Sequence, residues 1–319
     1  MAVAWLSPLT GSGWKGRQMQ RRTALVAVAV SAACFGTLAI FASLAYERGA
    51  EPLQLLAWRF GIAAVLLGGY LALRRPSALR VPASDLGRYA ILSVGGYGAA
   101  SLCFFFALNY AEASVVAVLL YTYPMIVAVV DAVLTPGPMD PGRAFAVLLA
   151  FVGCVLVVDP FSASGGTHPL GVLLGLGAAV GYASFTLLSH RWMPGRSRSV
   201  LMTYTFAATA ILVTGVALVS GATLAPVGWD WQLWTLLGAI VLLPTFAAVI
   251  LYLRALSRIG AAQASLLSTL EPIFTIAMAA LLLGDRLTPL QLGGAALVLG
   301  AVVLSELRAR GTEEPPVVI

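Results

Sequence analysis

The sequence predicts an all-α polytopic membrane protein with ten transmembrane helices arranged as two inverted repeats of five. Three observations carry this prediction. Apolar side chains make up 60% of the 319 residues and charged ones only 10%, against about 25% charged in a soluble domain. The apolar residues gather in ten runs long enough to cross a bilayer. The chain also resembles itself at a displacement of about 148 positions.

A soluble fold of this length would leave large apolar patches in water, so lipid must be the solvent. That excludes a cytosolic enzyme, a secreted disulfide scaffold and a disordered hub. The net charge of +6 comes from basic residues scattered singly or in pairs. No basic stripe could track phosphates, so the expected partner is the bilayer and not nucleic acid. Cys34, Cys103 and Cys154 each sit inside an apolar run, as free packing residues do. No Cys/His pairing suggests a metal, and no motif calls for a cofactor.

Residues 1–22 read as a cytoplasmic tail carrying Lys15, Arg17, Arg21 and Arg22. The first repeat, 23–160, holds runs 23–46, 53–73, 89–110, 113–134 and 143–159. The second, 161–308, holds 170–190, 199–220, 232–253, 261–283 and 288–306, and 309–319 forms a polar cytoplasmic tail. The first run is too long for a signal-peptide core, so it reads as a retained span. Each run is far longer than a strand and lacks the alternation of an outer-membrane barrel. Sixteen basic residues fall on the side of the N-terminus, against Arg48 and Arg286 on the other. Both termini are therefore expected in the cytoplasm. The preference for arginine over lysine points to a GC-rich bacterial genome, and so to a bacterial inner membrane.

At the 148-residue displacement, Ala107-Leu108 meets Ala255-Leu256, Pro124 meets Pro272, Pro141 meets Pro289, and Gly96 falls on Pro244. Five spans per repeat is odd, so the second repeat enters the membrane from the opposite side. Inverted repeats supply two near-equivalent arrangements, the architecture of alternating-access transporters.

Several segments carry a family resemblance. They are Leu270-Glu271-Pro272-Ile273-Phe274, the stretch from Leu282 to Thr288 with its Gly284-Asp285-Arg286 turn, and Gln291 to Ala295. In the first half they are Glu51-Pro52, Trp58-Arg59-Phe60 and Tyr123-Pro124. Each half resembles an EamA domain of the drug/metabolite transporter superfamily, departing from it between Thr135 and Pro141. The resemblance implies ten helices that move small organic solutes, often amino acids or other metabolites, outward.

Ionisable groups inside spans are expensive and mark candidate sites. Glu271 lies near the midplane beside Pro272, which removes a donor and obstructs the Ser268 carbonyl, and Pro124 does the same at matching depth. Glu271 is thus the candidate proton-coupling residue. The expected solute-binding set is Tyr97, Tyr123, Tyr182, Ser268, Glu271 and Thr275, with Pro124 and Pro272 as helix breaks lining the site. The glycines around Tyr97 are expected to leave room beside its ring. Arg59 and Asp131 read as structural or gate residues, Arg59 by snorkelling outward or holding a carbonyl. Close helix packing is expected at Gly171, Gly175 and Gly177, and at Gly293 and Gly300.

The expected function is a secondary transporter of small organic metabolites, amino acids and aromatic ones foremost, exporting by alternating access. The rivals are a facilitative channel, and a receptor or scaffold without transport; an intramembrane enzyme lacks a nucleophile–base pair or an H-E-x-x-H helix. Spans five and ten carry few polar residues, which leaves a homodimer open.

Overall fold

The computed structural model describes residues 14–134, 141–159, 167–192, 197–259 and 267–310. Most of both expected tails, and the departure from the family pattern at 135–140, lie outside these residues. Within them the chain is helical, with no strand, as lipid demands of a backbone that must bond to itself.

Apart from a short 3-10 helix at Pro76–Leu79, the described residues form the following helical bodies. They are α1 (Trp14–Tyr46), α2 (Pro52–Arg74), α3 (Ala83–Ala107), α4 (Ala113–Leu120 and Tyr123–Leu134), α5 (Pro141–Val158), α6 (Pro169–Trp192) and α7 (Arg198–Ser220). Three more follow: α8 (Trp231–Ile240, continuing through Val241–Ala247 to Ala248–Ile259), α9 (Leu270–Leu282) and α10 (Pro289–Arg310). Seven of these, α1 to α4 and α6 to α8, contain stretches long and apolar enough to cross a bilayer. The shorter apolar stretches Ala144–Val158, Leu270–Leu282 and Pro289–Leu304 belong to α5, α9 and α10. Helix α1 starts at Trp14, ahead of the apolar run that begins at residue 23, because its Lys-, Arg- and Gln-rich lead is itself a good helix former.

Local sequence sets several helix ends. Glu51 opens α2 with a capping box, Gln54 Oε1 accepting from the Glu51 N–H at 3.2 Å, and Pro52 occupies the first turn. The Thr288–Gln291 pair opens α10 in the same way: Gln291 N–H donates to Thr288 Oγ1 at 3.2 Å and Thr288 N–H to Gln291 Oε1 at 2.9 Å. Asp230 caps α8 by accepting from Leu233 N–H at 2.9 Å. Gly221, at φ 70°, turns the chain out of α7.

The most extensive helix contacts recur when the two halves are exchanged. Helix α5 packs on α10, α2 on α7 and α4 on α9, each pair being equivalent helices of the two halves. Helix α1 packs on α8 and α9, while its equivalent α6 packs on α3 and α4. Seven-residue π-helical stretches, Leu92–Gly98 in α3 and Val241–Ala247 in α8, stand 149 positions apart. Gly95, not Gly96, therefore matches Pro244. Pro244 accounts for the stretch in α8 by removing a donor. In α3 the glycines allow close approach instead. A β-carbon at Gly96 would stand 2.9 Å from Phe185 Cβ, and one at Gly181 would stand 3.0 Å from the Gly96 carbonyl.

The expected close packing holds at Gly171, Gly175 and Gly177, which face Tyr110–Ala111, Leu119 and Cys103 respectively. It fails at Gly293 and Gly300, which have open space where a β-carbon would go. The close crossing of α5 and α10 uses Gly153 and Gly294. A β-carbon on Gly153 would stand 2.7 Å from the Gly294 carbonyl, and one on Gly294 would stand 2.6 Å from the Gly153 carbonyl. The buried Ala146 and Ala301 continue this seam. Gly153→Leu is expected to lower the thermal unfolding temperature in detergent by several degrees, because backbone cannot yield as a side-chain tip can. Gly293→Leu, equal in size and beside the seam on α10 but with open space at its β-carbon, should leave it near the parent value.

Candidate functional site

Two helix breaks meet at the centre of the bundle. Helix α4 is interrupted at Tyr121-Thr122, and Pro124 then lies in the first turn of the following segment. Helix α9 begins after a turn at Thr269, with Pro272 in its first turn. In that position a missing N–H costs no helix bond. Both prolines thus restart helices after a break, where a kink within a continuous helix was expected. The carbonyls before each break lose their in-helix partners, and lipid offers no replacement.

The Ser268 carbonyl finds its donor on the opposite half. Tyr121 Oη donates to it at 2.7 Å, and the same hydroxyl stands 3.0 Å from Glu271 Oε2. On the α1 side, Thr275 Oγ1 lies 3.1 Å from the Glu271 carbonyl and 3.3 Å from that of Gly36. Gly36 makes this approach feasible, since a β-carbon there would lie 2.9 Å from Thr275 Oγ1.

Beside this junction is a cavity of about 90 Å³, bordered by α1, α2, α3, α4, α6 and α9. That is room on the order of half a dozen waters, or a small solute. Glu271, Pro272, Thr275 and Tyr121 form one wall; Arg59, Tyr97 and Tyr182 contribute others; Phe35, Phe104 and Phe105 supply apolar surface. The Tyr97 ring is packed among Phe60, Phe185 and Phe206, with centroids 5.8, 5.4 and 6.3 Å away. Of the neighbouring glycines, Gly95 leaves open space as expected, while Phe185 stands against Gly96 and Leu212 and Thr209 against Gly98.

Arg59 does not snorkel. Its side chain is 3% exposed and borders the cavity, with Nε donating to Thr245 Oγ1 in the π-helical stretch of α8 at 3.1 Å. The guanidinium carbon stands 4.9 Å from the Phe60 ring centroid and 5.6 Å from that of Phe105, within cation–π range.

Of the residues singled out in the sequence, Tyr97, Tyr182, Glu271, Thr275, Pro272 and Arg59 border the cavity. Tyr123 and Pro124 stand behind it. The Tyr123 ring packs edge-on to Tyr182 at 4.7 Å and lies 6.1 Å from Tyr121. Ser268 enters through its carbonyl. Asp131 lies on α4, but its side chain falls outside the described residues. Tyr121, which the sequence reading missed, is 7% exposed and holds the junction. The available signal was its place three residues before Pro124, matching Ser268's need for a donor near Pro272.

The profile of the EamA-like transporter family matches residues 22–159 and 169–307. The chain is 28% identical to the uncharacterized transporter YcbK of Bacillus subtilis (strain 168) over 285 residues, 88% of this chain and 91% of that one. It is 26% identical to the uncharacterized transporter YyaM of the same organism, over 83% of this chain and 87% of that one. A solved crystal structure superimposes with a TM-score of 0.60 at 20% identity, covering 94% of this chain and 99% of that one. At that identity the likeness is one of fold.

One end of the bundle is tied across the two halves by carboxylates. Asp285, in the α9–α10 turn, accepts from the Ser114 N–H at 3.2 Å and its hydroxyl at 3.0 Å, capping α4 from outside its own repeat. Asp159 Oδ2 accepts from Thr288 Oγ1 at 3.3 Å. Partial burial, and then the nearby Asp285 charge, push the Glu112 carboxyl above its ordinary value. A raised carboxyl makes its contribution to stability at low pH and loses it as pH rises through the folded-state value. Glu112→Gln should therefore gain on the parent in unfolding temperature as pH rises through the carboxylate range. Asp285→Ala should cost about 0.5–2 kcal/mol, the usual loss of a cap. Thermal unfolding in detergent across a pH series measures both.

Proposed function

Because the chain belongs to the EamA-like transporter family, we propose that this membrane protein exports small organic metabolites, amino acids and aromatic ones foremost, by alternating access. The solute site in this reading is the cavity beside the two helix breaks, with Tyr97, Tyr182, Glu271 and Thr275 lining it and Tyr123 and Ser268 supporting them from outside it. All ten helices cross a bacterial inner membrane, and both termini are cytoplasmic. The observation that carries the reading is the meeting of breaks from opposite halves, joined by Tyr121 and Glu271. Paired interruptions at a repeat interface expose backbone and polar groups where a solute can use them. The helix contacts that recur on exchange supply two similar ways for the halves to lean.

Glu271 is the proton-coupling residue in this reading, and the geometry gives it a mechanism. The Tyr121 hydroxyl has one proton and two neighbours, the Ser268 carbonyl and the Glu271 carboxyl. A neutral Glu271 donates to the phenolic oxygen while the phenol donates to Ser268, so every group is served. An ionised Glu271 competes for the phenolic proton and leaves one acceptor unserved. Protonation thereby changes how firmly α4 is tied to α9.

The test is counterflow in proteoliposomes with labelled amino acids, run with Glu271→Gln in parallel. The parent should show saturable exchange and pH-driven accumulation. Glu271→Gln should keep exchange and lose the pH drive. Accumulation equal to the parent's would remove the coupling role, and absence of exchange across a broad metabolite panel would remove the carrier reading. Tyr121→Phe, which removes the hydroxyl shared by Ser268 and Glu271, should weaken pH-driven accumulation about tenfold through loss of one charge-linked hydrogen bond.

A further inference from the structure

Arg59 is a buried cation with no anion beside it. Among the described residues no carboxylate stands within salt-bridge distance; Asp85 and Arg88 form the one ion pair described. The partners of Arg59 are neutral: the Thr245 hydroxyl, the Tyr97 side chain and the faces of Phe60 and Phe105. Aromatic faces offset part of the cost of the charge but do not neutralise it. The guanidinium has five N–H donors, and Thr245 takes the one on Nε. That bond anchors the base of the fork to α8, while the side chain borders the cavity shared with Glu271.

We propose that Arg59 binds the carboxylate of the solute. This rests on the cavity being the transport site. A planar fork matches a carboxylate, which can take two parallel N–H bonds from it. Phosphate is the poorer fit, since a dianion would share the cavity with Glu271 and find no second cation among the residues lining it. Glu271 and the hydroxyls of Tyr121 and Thr275 line the same cavity and can accept from an ammonium group. Phe35, Phe104, Tyr97 and Tyr182, which also line it, provide apolar surface. A zwitterion in this cavity would find a cation for its carboxylate on α2 and acceptors for its ammonium on α4 and α9.

The test uses purified protein in proteoliposomes exchanging labelled L-phenylalanine and labelled L-leucine. The competitors are phenethylamine and 3-methylbutylamine, which lack the carboxylate, L-phenylalaninamide, which neutralises it, and 3-phenylpropionate, which lacks the ammonium. The amines and the amide should compete at least about tenfold more weakly than the parent amino acids, the scale of a lost charged hydrogen bond. 3-Phenylpropionate should compete better than phenethylamine. Arg59→Gln should raise the half-saturation for phenylalanine by a similar factor while leaving inhibition by phenethylamine unchanged, and Arg59→Lys should recover part of the loss. A purely structural arginine would instead alter both ligands together. Should Arg59→Gln fail to fold, the competitor series on the unsubstituted protein still decides. Phenethylamine competing as well as phenylalanine overturns the carboxylate role and leaves the carrier standing. No exchange of either amino acid overturns this proposal, and exchange of other metabolites would then preserve the carrier reading alone.

Discussion

A broken helix in hydrocarbon leaves carbonyls that water cannot reach, and this molecule is organised around the place where two breaks meet. The Ser268 carbonyl, set free ahead of Pro272, is served by a hydroxyl from the opposite half, Tyr121 at 2.7 Å. Either break alone would expose polar backbone to lipid. Together they make a polar centre inside an apolar bundle, and the cavity, Glu271 and the aromatic walls are arranged around it. The surrounding helices can then be nearly all apolar, because polar demand is concentrated at one junction.

The main helix contacts of the scaffold recur on exchange of the halves, but the chemistry does not. Helix contacts, the π-helical stretches and the proline restarts recur in both halves. The charged groups at the cavity do not. Glu271 stands 148 positions from Tyr123, and Arg59 on α2 is matched in α7 by Ala207. Recurring packing gives two conformations of similar energy, while the unmatched polar residues give the cavity a direction across the bundle. Helices set which motions are cheap, and a few side chains set which solute is held.

Much of this was legible in the sequence, for reasons that also explain what was not. Membrane residence and helical class follow from composition and run length, because an apolar run of about 20 residues has few alternatives. Glu271 and Pro272 stand out because charge and proline are both conspicuous in hydrocarbon. Depth along a helix is countable at 1.5 Å per residue, which is how Arg59 was assigned its level. Its rotation was not countable, and it faces the cavity where an outward-reaching side chain was expected. Helix rotation also decided the glycines. Gly293 and Gly294 are adjacent in sequence, and only Gly294 faces α5. Tyr121 was hidden because its partner is a backbone carbonyl 147 residues away, and no local pattern reports a long-range acceptor. The π-helical stretches were hidden because one extra residue in an all-apolar helix leaves no visible disturbance.

Those stretches bear on how such a chain tolerates change in length. An extra residue in one turn of a helix swings everything beyond it by about 100°. Leu92–Gly98 and Val241–Ala247 place that swing at equivalent positions of α3 and α8. Removing one residue from either stretch would restore ordinary helix there and turn half of that rod to face new neighbours. The bundle would then hold two halves of unequal register, and the seams that depend on their equivalence would no longer close. A single-codon deletion, harmless in a surface loop, is here a change in which side of a helix the membrane sees.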